Sequence, residues 1–150
     1  MTIRSAATAL GLALLLAAAG CGVPRDPVRA TLDALVRAAD SRDAGALFDR
    51  IAPGFTAADG SSRDEARALV ERYFAAYEIL DVRLEDVRIE RGGPEAARVR
   101  FRARLSGQPR RIGGLDGLVP SSSAYDFDLR LTNEGGTWKV AWAQWNPAGG

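Results

Sequence analysis

Few residues of this chain could do acid–base chemistry. The sequence contains no histidine, so a general base would have to be a carboxylate. Asp126 and Asp128 alternate with apolar residues of one segment, which predicts that their side chains point away from a core. Asp81 follows a helical segment and either reaches the protein interior or lies in a surface turn. We therefore predict no catalytic residue, no metal site and no cofactor, which favours a non-catalytic role without deciding the question.

The only cysteine of the chain, Cys21, lies at the end of an N-terminal targeting segment. Arg4 provides a positive charge, residues 6–16 are apolar but too short to span a bilayer comfortably, and small residues follow. The final Ala-Ala-Gly-Cys resembles the lipobox of bacterial lipoprotein signal peptides, although Ala18 replaces the usual leucine. This resemblance implies that residues 1–20 are a signal peptide. It also implies that Cys21 carries palmitate-type acyl chains and begins a tether, residues 21–25.

A lipidated Cys21 would anchor the protein to a membrane of the cell envelope. Gly22 follows the cysteine in place of the aspartate that usually retains lipoproteins at the inner membrane of Gram-negative bacteria. In such a source this favours the outer membrane, with the protein facing the periplasm. The alternative is an ordinary secretory signal peptide with an incidental cysteine.

The charge pattern bears on the class of partner. A formal net charge of +1 gives no basis for nucleic-acid binding. Arginines occupy every second position from Arg98 to Arg104. They could bind an anionic partner such as lipid headgroups, or they could pair with Asp126 and Asp128 across the outer face of a sheet.

Three helices are predicted in the first half of the chain. Asp26 and Pro27 are typical of a helix start, and a shorter helix is predicted over residues 41–51, ended by Pro53-Gly54. A capping box over Ser62–Glu65 begins the third helix. Its apolar stripe comprises Ala66, Leu69, Val70, Tyr73, Phe74 and Tyr77.

Four strands are predicted after these helices. Apolar residues alternate at 82 and 84 and, in the opposite phase, at 87 and 89, which predicts a bulge at Glu85-Asp86. Residues 97–105 and 125–131 alternate without interruption. After a turn at Asn133–Gly136, the returning strand is predicted to place Trp138, Val140 and Trp142 on one face.

The order of these elements resembles the NTF2-like superfamily, also called the SnoaL-like or cystatin-like cone. The segments that carry the resemblance are Leu47–Phe55, Ser62–Glu65, Tyr73-Phe74 and Gly136–Val140. It implies an α+β fold over residues 26–147, in which N-terminal helices pack in a curved antiparallel β-sheet. In this superfamily the mouth of the cone often holds a small apolar ligand, and members include isomerases, dehydratases and non-catalytic binding domains.

The resemblance implies that aromatic side chains line the cone and contact a ligand there, although the same rings could simply fill the core. The candidate ligand-binding residues are Tyr73, Tyr77, Phe101, Tyr125, Phe127 and Trp142. We also expect Tyr73 and Phe74 to pack on Phe101, Phe127 and Trp142. The long connection 106–122 combines glycines with apolar residues, which predicts a flap over the mouth, a partner-binding patch, or a loop tucked onto the helices. Its apolar residues are Ile112, Leu115, Leu118 and Val119.

The sequence therefore predicts an envelope lipoprotein whose cone binds a small apolar ligand or a protein partner. Two alternatives stay open. One is an NTF2-like isomerase or dehydratase that uses a carboxylate and tyrosines in the cone. The other is a structural or assembly subunit that forms a homodimer through the outer face of its sheet.

Overall fold

A computed structural model describes residues 25–110 and 120–149 of the 150-residue chain. Helices and strands follow in the order α1 Pro27–Asp40, α2 Ala44–Phe48, β1 Ile51–Ala57, α3 Arg63–Ala75, β2 Tyr77–Arg91, β3 Ala96–Pro109, β4 Ser122–Glu134 and β5 Thr137–Pro147. The strands form one curved five-stranded sheet in the order β1-β5-β4-β3-β2, and the helices pack on its concave face. This is the α+β architecture that the sequence predicts.

Side-chain caps fix the starts of α1 and α3 where the sequence predicts them. The Asp26 carboxylate accepts a hydrogen bond from the Val28 N–H at 2.9 Å. At the start of α3, the Glu65 N–H donates to the Ser62 hydroxyl at 3.3 Å, and the Ser62 N–H donates to the Glu65 carboxylate at 2.7 Å. Each such cap stabilises a helix by about 1 kcal/mol, because it satisfies backbone donors that the helix leaves free.

The predicted helix over residues 41–51 is wrong in its second half. The helix α2 ends at Phe48, and from Ile51 the chain continues as β1, which pairs in parallel with β5. The sheet is therefore mixed and not purely antiparallel. Pro53 and Gly54 do not end a helix but lie in an irregular part of β1, where proline is tolerated because the strand is at the edge of the sheet.

The strands β2, β3 and β4 follow the predicted alternation. The predicted bulge at Glu85-Asp86 is confirmed: the register of β2 against β3 shifts there, and Asp86 has a φ of 53°. Along β3, Ala97 and Val99 are buried on the concave face, while the intervening arginines point outward. The pleat thus separates an apolar inner face from a charged outer face.

The predicted face of Trp142 is wrong. The strand β5 pairs Val140 with Leu131 of β4 but Trp142 with Arg130, so Ala141 is an extra residue at a bulge. The bulge reverses the alternation of β5. Trp142 consequently lies on the outer face, where the guanidinium carbon of Arg130 is 4.5 Å from the centroid of its indole ring.

Two clusters of buried side chains hold the helices to the sheet. The larger one contains Val28, Leu32, Phe48, Ile51, Phe55, Ala57, Ala66, Ala97, Val99, Leu129, Leu131, Trp138, Val140 and Ala143. Thr31 is also buried, and its hydroxyl donates to the Trp138 carbonyl at 2.9 Å. Phe74 is buried in the smaller cluster with Tyr77 and Leu80. Tyr73 packs against the same smaller cluster, so the expected packing of Tyr73 and Phe74 on Phe101, Phe127 and Trp142 is wrong.

Candidate functional site

Three aromatic rings form a row across the concave face of the sheet. The register places Phe101 of β3 opposite Phe127 of β4, and Phe127 opposite Trp145 of β5. The ring centroids of Phe101 and Phe127 are 5.2 Å apart at an interplanar angle of 13°, and those of Phe127 and Trp145 are 6.4 Å apart at 30°. All three side chains pack against the larger cluster but are only partly buried. The aromatic row therefore leaves apolar surface accessible on the concave face.

Tyrosines gather at the end of the sheet where β2 begins and β3 ends. The ring centroids of Tyr73 and Tyr77 are 5.1 Å apart. The Tyr77 hydroxyl donates to the Pro120 carbonyl at 2.7 Å, and the Tyr73 and Ser123 hydroxyls are 3.3 Å apart. Burial, followed by the neighbouring Tyr73 and Tyr125 hydroxyls, raises the pKa of the Tyr77 phenol. Tyr77 thus stays protonated at physiological pH and holds the chain at Pro120.

Tyr125, the third tyrosine of the chain, lies two residues before Phe127 on the concave side of β4. Its side chain is partly exposed, and its hydroxyl makes no hydrogen bond to any residue within 25–110 or 120–149. A phenol in this position can donate to or accept from a bound molecule. Tyr125 is therefore the tyrosine best placed to contact a ligand beside the aromatic row.

Gly107 lets β2 approach β3 closely at the tyrosine end. A Cβ atom at this position would lie 2.2 Å from the Ile79 carbonyl oxygen and 3.2 Å from the Tyr77 ring. The register of β2 also shifts between Tyr77 and Ile79. The absence of a side chain at residue 107 therefore positions Tyr77 against β3.

Within the described ranges, the one charged side chain at a concave position of β2–β5 is Arg91, which lies opposite Ala97 toward the start of α1, stacks on Trp138 and forms an ion pair with Asp26. Asp81 projects from the opposite face, where it forms an ion pair with Arg83 at 3.1 Å and keeps half of its side chain exposed. Asp126 and Asp128 point outward, as predicted. The aromatic row is therefore bordered by hydroxyls and apolar groups, and the candidate base Asp81 is remote from it.

The arginines of β3 pair alternately with the two flanking strands. The pairs are Arg98–Asp128 and Arg102–Asp126 toward β4, and Arg100–Glu90 and Arg104–Glu85 toward β2. Hydrogen bonds from Arg102 and Arg98 lower the pKa values of Asp126 and Asp128, respectively. The cross-strand pairing that the sequence predicts is confirmed, although exposed pairs of this kind contribute little to stability.

The structure thus brings Tyr73, Tyr125, Phe101 and Phe127 to one face, where Trp145 joins them. The sequence pattern did not indicate Trp145 or Ser123 as site residues, and the predicted face of Trp142 is wrong. Cys21 and the apolar residues of the connection, Ile112, Leu115, Leu118 and Val119, lie outside the described residues. The lipid anchor and the flap therefore stay predictions.

Two further features of the described ranges bear on the class of protein. No helix there is both long enough and apolar enough to cross a membrane. No group of three or more histidine, cysteine, aspartate or glutamate side chains in these ranges is arranged to hold a metal ion.

Comparison with known proteins identifies the fold. No protein-family model matches the sequence, and no curated protein matches it. A proposed scytalone dehydratase from Novosphingobium aromaticivorans superposes with a TM-score of 0.70 and 11% identity, over 82% of this chain and 83% of that one. A proposed dehydratase of the NTF2-like family from Streptomyces avermitilis gives 0.68 and 16%, over 81% and 94%.

An uncharacterised protein with a cystatin-like fold from Caulobacter vibrioides superposes with a TM-score of 0.64 and 11% identity, over 83% of this chain and 89% of that one. At such identities the likeness concerns the fold alone. The chain has the NTF2-like, or cystatin-like, cone fold that the sequence predicts.

Proposed function

We propose that this protein is a lipid-anchored envelope protein whose cone binds a small, neutral, apolar molecule without catalysing a reaction. The observation that carries the proposal is the aromatic row of Phe101, Phe127 and Trp145, which is only partly buried on the concave face. Each 100 Å² of apolar surface that a ligand removes from water contributes about 2.5 kcal/mol. Covering the exposed part of this row would therefore favour binding.

The chemistry around the row favours a neutral ligand. An ionised group placed there would lose its hydration without gaining an unpaired partner of opposite charge, because Arg91, the one charged side chain at the described concave positions of β2–β5, lies toward the start of α1 and already pairs with Asp26. The Tyr125 hydroxyl and the Tyr73–Ser123 pair offer hydrogen bonds to a single hydroxyl or carbonyl group. We therefore propose a mainly apolar ligand with one polar group at the tyrosine end.

Binding is favoured over the two alternatives by particular contacts. A dehydratase or isomerase of the kind considered above needs a carboxylate in the cone, but Asp81 lies on the outer face and pairs with Arg83. A homodimer through the outer face would bury the arginine–carboxylate pairs, whereas interface cores are depleted of charged residues.

The anchor would orient the cone with its tyrosine end away from the membrane. The start of α1 lies beside the end of β2, since Asp26 pairs with Arg91. The tyrosine end is at the other end of the strands, and the 13 residues of β4 span roughly 40 Å. A tether of residues 21–25 reaches at most roughly 18 Å. We therefore propose that the ligand enters from the aqueous side.

Two tryptophans of β5 provide a matched test, since Trp145 lies on the concave face and Trp142 on the outer face. The chain from residue 22 is titrated with the neutral fluorophore N-phenyl-1-naphthylamine. Trp145→Ala should weaken binding by about tenfold, because about 60 Å² of apolar contact would be lost. Trp142→Ala should leave the affinity unchanged within about twofold. Equal losses in both variants, or no saturable binding to the parent chain, would contradict the proposal.

A further inference from the structure

A recess of about 500 Å³ opens on the outer face of the sheet, on the opposite side from the aromatic row. Its lining includes the outward-facing residues Arg100, Arg102, Asp126, Asp128, Gln144 and Asn146, together with Phe101 and Phe127 between them. These residues come from β3, β4 and β5, so adjacent strands hold them at fixed spacings. Phe101 and Phe127 border both sites, but the polar side chains of the recess lie on the outer face and the aromatic rings stack on the concave face.

The charges that line this recess balance. Three arginines, at positions 88, 100 and 102, face three aspartates, at positions 86, 126 and 128. Arg102 donates to both carboxylate oxygens of Asp126, at 2.8 and 3.1 Å. Four of these six charges, on Arg100, Arg102, Asp126 and Asp128, already form ion pairs, whereas Arg88 and Asp86 form none within the described ranges. Because the lining has no net charge and most of its charges are paired, the recess favours an uncharged polar ligand.

The recess nevertheless offers many hydrogen-bonding groups. Carboxylates accept hydrogen bonds, guanidinium groups donate them, and the amides of Gln144 and Asn146 do both. These amides are exposed, and neither makes a side-chain hydrogen bond to a residue of the described ranges. Trp142 precedes them on the same face of β5, where its ring lies under the Arg130 guanidinium and stays partly exposed.

We propose that this recess binds a neutral oligosaccharide. Each sugar hydroxyl both donates and accepts, which matches a rigid array of alternating carboxylates, guanidinium groups and amides. A sugar ring can also contact the part of the Trp142 indole that the Arg130 guanidinium leaves exposed. In this proposal the arginines of β3 and the neighbouring aspartates together bind the sugar hydroxyls, and the arginines do not form a site for a polyanion.

Calorimetric titration of the full-length protein tests this proposal, in a detergent without a sugar headgroup. The probes are maltotriose, cellotriose and chitotriose, with a heparin hexasaccharide as the polyanion. At least one neutral trisaccharide should bind with a Kd of about 1 mM or tighter. The double variant Gln144→Ala, Asn146→Ala should weaken that binding by about tenfold or more, because two hydrogen bonds are lost.

Two control variants sharpen the test. Ser106→Ala, at an exposed outer-face position of β3 outside the recess, should leave sugar binding unchanged. Asp126→Asn should weaken binding of the neutral sugar and strengthen binding of heparin, because Arg102 loses its partner. The proposal is overturned if no neutral trisaccharide binds at concentrations up to about 10 mM. It is also overturned if heparin alone binds the parent protein, or if the amide double variant binds sugar normally.

Discussion

Replacing Gly107 by alanine should destabilise the tyrosine end of the sheet. The new Cβ would lie 2.2 Å from the Ile79 carbonyl oxygen, which is about 1.2 Å inside the 3.4 Å limit of ordinary contacts. The obstructing atom belongs to the backbone, so β2 itself must move away from β3. Overpacking of this kind costs about 1–3 kcal/mol. The same shift would displace Tyr77, whose ring lies 3.2 Å from that Cβ.

Gly54→Ala is the matched control for this substitution. Gly54 also lies in a strand, but a Cβ there would meet no atom within 4 Å. Urea unfolding of the chain from residue 22 should show a lower free energy of unfolding for Gly107→Ala and little change for Gly54→Ala. If the two variants differ by less than about 0.5 kcal/mol, β2 does not approach β3 as closely as described.

Three further substitutions test other parts of the account. Phe74→Ala should lower the free energy of unfolding by roughly 3–5 kcal/mol because Phe74 is buried, and a loss below about 1 kcal/mol would place that helix face outside the core. Cys21→Ala should abolish palmitate labelling and release the protein from the membrane fraction, whereas a labelled, membrane-bound variant would refute the lipobox interpretation. The double variant Leu115→Ser, Leu118→Ser should weaken binding of the neutral fluorophore with a nearly normal Tm if these residues form a flap. A marked fall in Tm with unchanged binding would mean that they belong to the core.

Local signals in the sequence were sufficient for the helix starts and for one bulge. The caps at Asp26 and Ser62 depend on residues within one turn of the helix, so the sequence pattern contains the whole signal. The bulge at Glu85-Asp86 was visible because the apolar alternation changes phase there. Phe101 and Phe127 were placed correctly on the inner face because the apolar alternation of their strands is not interrupted.

The errors come from interactions between distant parts of the chain. The local sequence of β1 contains Pro53-Gly54, which is typical of a helix end. The strand forms because it pairs with β5, which lies far along the chain, and the sequence of β1 alone does not show that pairing. In β5, Trp138, Val140 and Trp142 are spaced two residues apart, so the sequence predicts that all three share a face. The structure has a bulge at Ala141, between Val140 and Trp142. The register against β4 reverses the face, and the sequence of β5 alone contains no sign of it.

The most direct test of ligand binding on the concave face is to observe the indole N–H resonances of the three tryptophans in one NMR titration. The chain from residue 22 is titrated with N-phenyl-1-naphthylamine, and the signals are assigned from single Trp→Phe variants. The Trp145 signal should shift saturably, because its ring belongs to the aromatic row. The Trp142 signal should stay in place, because its ring lies under Arg130 on the outer face. A shift of Trp142 without a shift of Trp145 would contradict binding on the concave face.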